Sequence, residues 1–133
     1  MSEAKTRILI AEDDSVVAKN LTITLEDRGY SVLGISESGE ELLQKVASQS
    51  PDIIIMDINL AGLMDGVEVT ALLKNKTSIP VLYLTSDRDR GTLERAKLTN
   101  PDGYLIKPFD EDELVSAIEI ALHRHHMSDS NKE

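Results

Sequence analysis

Five short apolar runs punctuate the chain: RILIA at 7–11, YSVLGI at 30–35, DIIIM at 52–56, PVLYLT at 80–85 and GYLI at 103–106. Their Ile, Val, Leu and Tyr content is that of strands buried on both faces. Between them the apolar positions recur at helical spacing, as Val17, Leu21 and Leu25 do before Gly29, and Leu114, Ile118, Ala121 and Leu122 in the last segment. Ser38 with Glu41 and Asp110 with Glu113 have the spacing of capping boxes, in which the cap and the third helical residue satisfy each other's amides. Pro51 and Pro80 sit just before strands, where a missing donor is tolerated. The segment around Leu93, Ala96 and Leu98 is mostly polar and predicts a helix with one apolar edge and a solvated face. Strand then helix, five times over, predicts an α/β fold with a doubly wound parallel sheet, because parallel neighbours need crossovers.

Composition narrows the classes. The 133 residues, 41% of them hydrophobic, suit one domain with a real core, over about 1–125, followed by a polar tail at 126–133. Fourteen Lys and Arg against 24 Asp and Glu give a formal net charge of −10, which repels nucleic-acid backbones and anionic lipid headgroups. The absence of Cys removes disulfides, zinc-thiolate sites and thiol catalysis. The only apolar run near the N-terminus, Ile8 to Ala11, is too short for a signal-peptide core or a membrane span, so a cytoplasmic protein is expected. His123, His125 and His126 are expected near the end of the last helix, where cations suit its dipole.

In open parallel sheets ligands bind beyond the carboxyl ends of the strands, where strand order reverses. Strand one ends in Glu12-Asp13-Asp14, strand three in Asp57, strand four in Thr85-Ser86 and strand five in Lys107-Pro108. In a sheet of order 2-1-3-4-5, Glu12 or Asp13, Asp57, Thr85 and Lys107 converge. Clustered carboxylates repel one another unless a divalent cation and an ammonium neutralise them. An all-oxygen set suits Mg2+, and that combination suits phosphoryl transfer. Asp57 is then the nucleophile, while Thr85 and Lys107 contact phosphoryl oxygens. Taken singly, Glu12-Asp13-Asp14 reads as a turn and helix cap at Asp14 or Ser15, and Asp57 as an Asx-turn residue. Asp65-Gly66 reads as a turn and helix start.

Together, "ILIAEDD", "IIIMDINLAGLMDG", "VLYLTSD" and "GYLIKPF" resemble the motifs of the receiver domain of two-component response regulators, from about Thr6 to about His123. The resemblance implies the five-stranded flavodoxin-like receiver fold of order 2-1-3-4-5. It implies Glu12 and Asp13 as metal-binding acids, Asp13 direct and Glu12 through water, with Asp57 and the Asn59 carbonyl completing a Mg2+ site. It further implies Asp57 as the phosphorylated residue, Thr85 as the hydroxyl that moves onto the phosphoryl, Lys107 as its counter-ion, Tyr104 as an aromatic switch, and a cis Lys107-Pro108 bond. Asn59 and Asp87 fall where the family tunes dephosphorylation. The loop departs from the family: Ala61 lies where a proline is frequent, and Asp65-Gly66 comes one residue late.

The function so implied is a regulatory phosphoacceptor, not an enzyme acting on other substrates. A sensor histidine kinase would be the donor. A downstream protein, or a second copy, would meet the face made by helix four, strand five and helix five. The chain would be a stand-alone regulator or a receiver from a longer protein. Three rivals stand beside it. A magnesium-dependent aspartyl-phosphate phosphohydrolase would want an acid where Asn59 is. A pseudo-receiver would dock partners without phosphorylation. A flavodoxin would want a phosphate loop rich in Ser, Thr and Gly after strand one.

Overall fold

In the computed structural model the chain is described over residues 5–86 and 90–130, with side chains to Met127. Asp87 lies outside the described residues. Five strands, β1 (Arg7–Ala11), β2 (Ser31–Ser36), β3 (Ile53–Asp57), β4 (Val81–Ser86) and β5 (Gly103–Lys107), alternate with five helices. These are α1 (Ser15–Asp27), α2 (Gly39–Gln49), α3 (Gly66–Lys76), α4 (Arg90–Lys97) and α5 (Glu111–Ser130). The strands form one parallel sheet in the expected order β2-β1-β3-β4-β5.

Alternation along the three central strands builds two cores. Leu9, Ala11, Ile54, Met56, Val81 and Tyr83 face α2, α3 and α4, whereas Ile8, Ile10, Ile53, Ile55, Leu82 and Leu84 face α1 and α5. Each fully buried aliphatic among them contributes about 1.5–3 kcal/mol. The outer strands are less covered than their apolar sequences predict. β2 is half-buried along most of its length, and in β5 Tyr104 and Ile106 are exposed. Both are edge strands, and α4 has only eight residues with which to shield β5. Of its expected apolar edge, Ala96 is buried and Leu93 packs on the core, but Leu98 is exposed because it lies past the helix end.

Helix starts follow the capping chemistry. Asp14 is the N-cap of α1, accepting from the Val16 and Val17 amides. Asp110 and Glu113 form the expected reciprocal box, and Asp65 forms another with Glu68 that accounts for the start of α3. At α2 only half the expected box is made: Ser38 accepts from Glu41 N, but the Glu41 carboxylate accepts from Glu37 N instead of the cap. Gly66 is required at the start of α3, since a Cβ there would collide with the Asp57 carbonyl oxygen. The first turn of α3 therefore lies directly against the end of β3.

The opposite end of the sheet has its own tie. Asp102, in the loop before β5, accepts from Val81 N at 3.0 Å and pairs with Lys74 of α3 at 3.1 Å. His125 Nδ1 of α5 lies 3.4 Å from its other oxygen. The three histidines are thus within α5 and not at its end, because no Gly or Pro follows Leu122 and the helix continues to Ser130. The stretch expected as a polar tail is helical over 126–130. Asp102→Ala strands a strand amide and a lysine that both depend on this carboxylate. A loss of about 1–3 kcal/mol in denaturant unfolding is expected; a change within a few tenths would show that water replaces the carboxylate without cost.

Candidate functional site

The strand order places the reversal between β1 and β3, so Glu12 and Asp57 leave the sheet side by side. Glu12 is buried and its amide donates to the Ser36 carbonyl at 2.9 Å, which anchors the end of β1 on β2. Asp57 is also buried, while Asp13 is exposed at the rim. Carboxylate oxygens of Glu12, Asp13 and Asp57 all lie within 4.8 Å of one another. Asp57 Oδ1 accepts from Asn59 N at 3.0 Å, which orients the carboxylate through the exposed turn that carries the Asn59 carbonyl.

Lys107 brings the positive charge. Its Nζ lies 3.5 Å from Glu12 Oε1 and 3.8 Å from Asp57 Oδ2. The peptide from Lys107 to Pro108 is cis, as the resemblance implied. Register sets Thr85 opposite Ile106 and Ser86 opposite Lys107, so the fourth residue of the expected set also reaches this end of the sheet. The Thr85 hydroxyl, however, donates to the Ser86 carbonyl at 3.0 Å and is not engaged with the carboxylates. Tyr104 is about one-third exposed, at 38%, beside a groove of about 410 Å3 lined by Thr85, Leu93, Lys97 and Ile106.

One lysine does not neutralise three acids. Burial pushes the Glu12 carboxyl up to about 7, helped by a hydrogen bond to Asp57 and by its charge, and opposed by the Asp14 amide and by Lys107. Glu12 Oε1 has no hydrogen-bond partner. A buried acceptor that makes no hydrogen bond and has only the Lys107 ammonium 3.5 Å away, in a set of hard oxygen ligands, fits a divalent cation that retains waters. Glu12, Asp13, Asp57 and the Asn59 carbonyl are the groups that could hold it.

The raised Glu12 value has a measurable consequence. The folded protein keeps a proton there between about 4.5, the unfolded value, and about 7. Metal-free stability is therefore expected to fall as pH rises across that window, by at most about 1.4 kcal/mol per pH unit for one proton. Mg2+ should restore more stability at pH 8 than at pH 5. Glu12→Gln serves as the reference, and identical pH profiles for the two proteins in chelator would disprove the assignment.

The arrangement of acids, hydroxyl and lysine at adjacent strand ends matches known proteins over most of the chain. The response regulator receiver domain family covers residues 8–119. The chain belongs to this family. A transcriptional regulatory protein, PdtaR of Mycobacterium tuberculosis, is 33% identical over 118 residues, 89% of this chain and 57% of that protein. The DNA-binding response regulator MtrA of the same species is 31% identical over 125 residues, 94% of this chain and 54% of that one. The receiver thus spans little more than half the length of these curated relatives. Among solved structures, the signal receiver domain of a modulated diguanylate cyclase from Desulfovibrio desulfuricans superimposes with a TM-score of 0.88 at 41% identity, covering 94% of this chain and 99% of that one. A response regulator structure from Chloroflexus aurantiacus gives 0.83 at 32%, covering 90% and 99%. Membership carries a phosphoacceptor signalling role in two-component systems, and the family is regulatory.

Two groups that sequence reasoning passed over also belong to the receiver's working end. Asp65, beyond its capping role, accepts from Arg95 at 3.0 Å and so joins the loop after β3 to α4. Tyr83 stacks beside Tyr104 beneath that helix. Neither pairing has a local signature, since each joins residues more than twenty positions apart. No helix among the described residues is long and apolar enough to cross a membrane.

Proposed function

We infer that the receiver takes a phosphoryl group on Asp57 from a sensor histidine kinase and changes its partner-binding surface in response. The observation that carries the reading is the Lys107 ammonium, 3.8 Å from the buried Asp57 carboxylate and 3.5 Å from Glu12, as the one cation set among three clustered acids within the described residues. An Asp57 oxygen attacks phosphorus in line, the bond from phosphorus to the donor's imidazole nitrogen breaks, and that nitrogen leaves with the electron pair. Asp57 becomes an acyl phosphate. Lys107 pairs with one phosphoryl oxygen, and Thr85 turns its hydroxyl from Ser86 to another. Glu12, Asp13, Asp57 and the Asn59 carbonyl would hold Mg2+, which would neutralise charge on the remaining phosphoryl oxygen.

Phosphorylation shifts a pre-existing equilibrium only through contacts that differ between the two states. Thr85 supplies such a contact, and Tyr104, beside the groove, is the side chain with room to follow it. The surface that changes is the face of α4, β5 and α5, where Leu98, Tyr104, Ile106 and Ile120 are exposed. A downstream protein or a second copy of the chain would bind there. The net charge of −10 makes the receiver itself a poor ligand for nucleic acid and for anionic membranes, and it is assigned to the cytoplasm. Asn59 in place of a second acid speaks against a phosphohydrolase.

The test is the intact mass of the chain after incubation with a small phosphodonor, with and without Mg2+. One labile phosphoryl that requires Mg2+ is expected. A folded protein that gains none would be a docking module of the pseudo-receiver kind.

A further inference from the structure

Tyr83 is a fully buried aromatic that the phosphoryl chemistry does not use. It precedes Thr85 by two residues on β4, so both side chains leave the same face of the strand, toward α3 and α4. Across the ladder it lies opposite Tyr104, with ring centroids 6.0 Å apart and planes inclined by 32°. At the far end of its ring, the hydroxyl stands 2.8 Å from the Thr99 hydroxyl, just past the end of α4. Thr99 directs its own proton to the Ala96 carbonyl at 2.6 Å, which leaves Tyr83 as the donor of that pair. Thr70 of α3 bonds the Gly66 carbonyl at 2.8 Å, and Val67, Val69 and Leu73 of the same helix share the buried core cluster with Tyr83. One side chain thus touches the strand of Thr85, the ring of Tyr104 and two helices.

We propose that Tyr83 is a positioning residue that carries the state of Thr85 and Tyr104 to the C-terminal end of α4. This rests on the receiver reading above. Tyr104 has a groove beside it into which its ring can move, whereas the Tyr83 ring is enclosed on all sides. A shift of Tyr104 therefore changes the packing on a ring that cannot yield toward solvent. The buried hydroxyl is unfavourable without its acceptor, so Tyr83 and Thr99 move together. Thr99 in turn is bonded to the last turn of α4, and that helix end follows. The Asp65 to Arg95 pair holds the same helix from the side of the acceptor loop, so α4 is tied both to β4 and to the loop after β3.

Tyr83→Phe removes the hydroxyl and keeps the ring, and Thr99→Val removes the other half of the bond. Wild type, both variants and their combination are phosphorylated with a small phosphodonor and Mg2+, checked by intact mass, and followed by amide hydrogen exchange over residues 90–100. All four proteins should gain one phosphoryl. Exchange at the end of α4 in the unphosphorylated variants should be about three- to tenfold faster than in wild type, and the difference made by phosphorylation should shrink by more than half. Thr99→Val also loses the bond to the Ala96 carbonyl, so the combined variant should exchange no faster than Thr99→Val, whereas Tyr83→Phe reports the Tyr83 bond alone. Faster exchange with an undiminished phosphorylation difference would make the bond a structural tether only and overturn the proposal. So would unchanged exchange. Wild type without a phosphoryl would refute the receiver reading itself, which the mass measurement reports separately.

Discussion

Asp57→Asn is expected to abolish the phosphoryl adduct entirely while leaving a folded, and in chelator a more stable, protein. The amide is nearly isosteric with the carboxylate and its oxygen can keep the hydrogen bond from Asn59 N, so the end of β3 has no reason to move. What disappears is the nucleophile, since an amide oxygen does not form an acyl phosphate. Electrostatics changes in a favourable sense. Asp57 contributes both a hydrogen bond and like-charge repulsion to the raised Glu12 carboxyl, and Lys107 is left with one buried acid instead of two. Mg2+ binding should weaken, because one of three clustered carboxylates is gone. Intact mass and denaturant unfolding on the same preparation separate these effects. A phosphoryl persisting on the variant would move the acceptor to Asp13 or Glu12, and a collapse in stability would mean that the carboxylate itself holds the strand end.

The parts of this site differ in how openly the sequence shows them. Asp57 stands at the end of an unbroken apolar run, and a carboxylate there is conspicuous because no Lys or Arg nearby in sequence compensates its burial. Glu12 and Lys107 acquire meaning only with the strand order, which was legible because alternation of strands and helices restricts the topology. The edges were less legible. YSVLGI and GYLI read as doubly buried strands, but which strands end up at the border depends on the whole sheet, and Ile106 is exposed for that reason. The tie at Asp102 was not visible at all, because its partners Lys74, Val81 and His125 come from three separate elements. The same holds for Tyr83, which looks in sequence like any core aromatic. Its hydroxyl acquires a role only when the end of α4 arrives above it.

Lys107→Gln is expected to slow phosphoryl uptake by about 10²- to 10³-fold, the usual loss when one preorganised charge partner of a transferring group is removed. The substitution keeps a side chain of similar reach but removes the only cation placed against Glu12 and Asp57 among the described residues. The companion effect has the opposite sign. Lys107 and a divalent cation are drawn to the same carboxylates and repel each other, so Mg2+ should bind more tightly to the variant at neutral pH even as transfer slows. A lysine that merely braced the fold would lower both quantities together. Arginine should restore only part of the rate, because a planar guanidinium cannot occupy the place of a compact ammonium lying between two carboxylates. The measurements are a phosphorylation time course by intact mass at saturating Mg2+ and a Mg2+ titration of Lys107→Gln, Lys107→Arg and wild type. An unchanged rate in Lys107→Gln would remove the lysine from the reaction, and weakened Mg2+ binding with a slow rate would make it a prop for the acidic cluster.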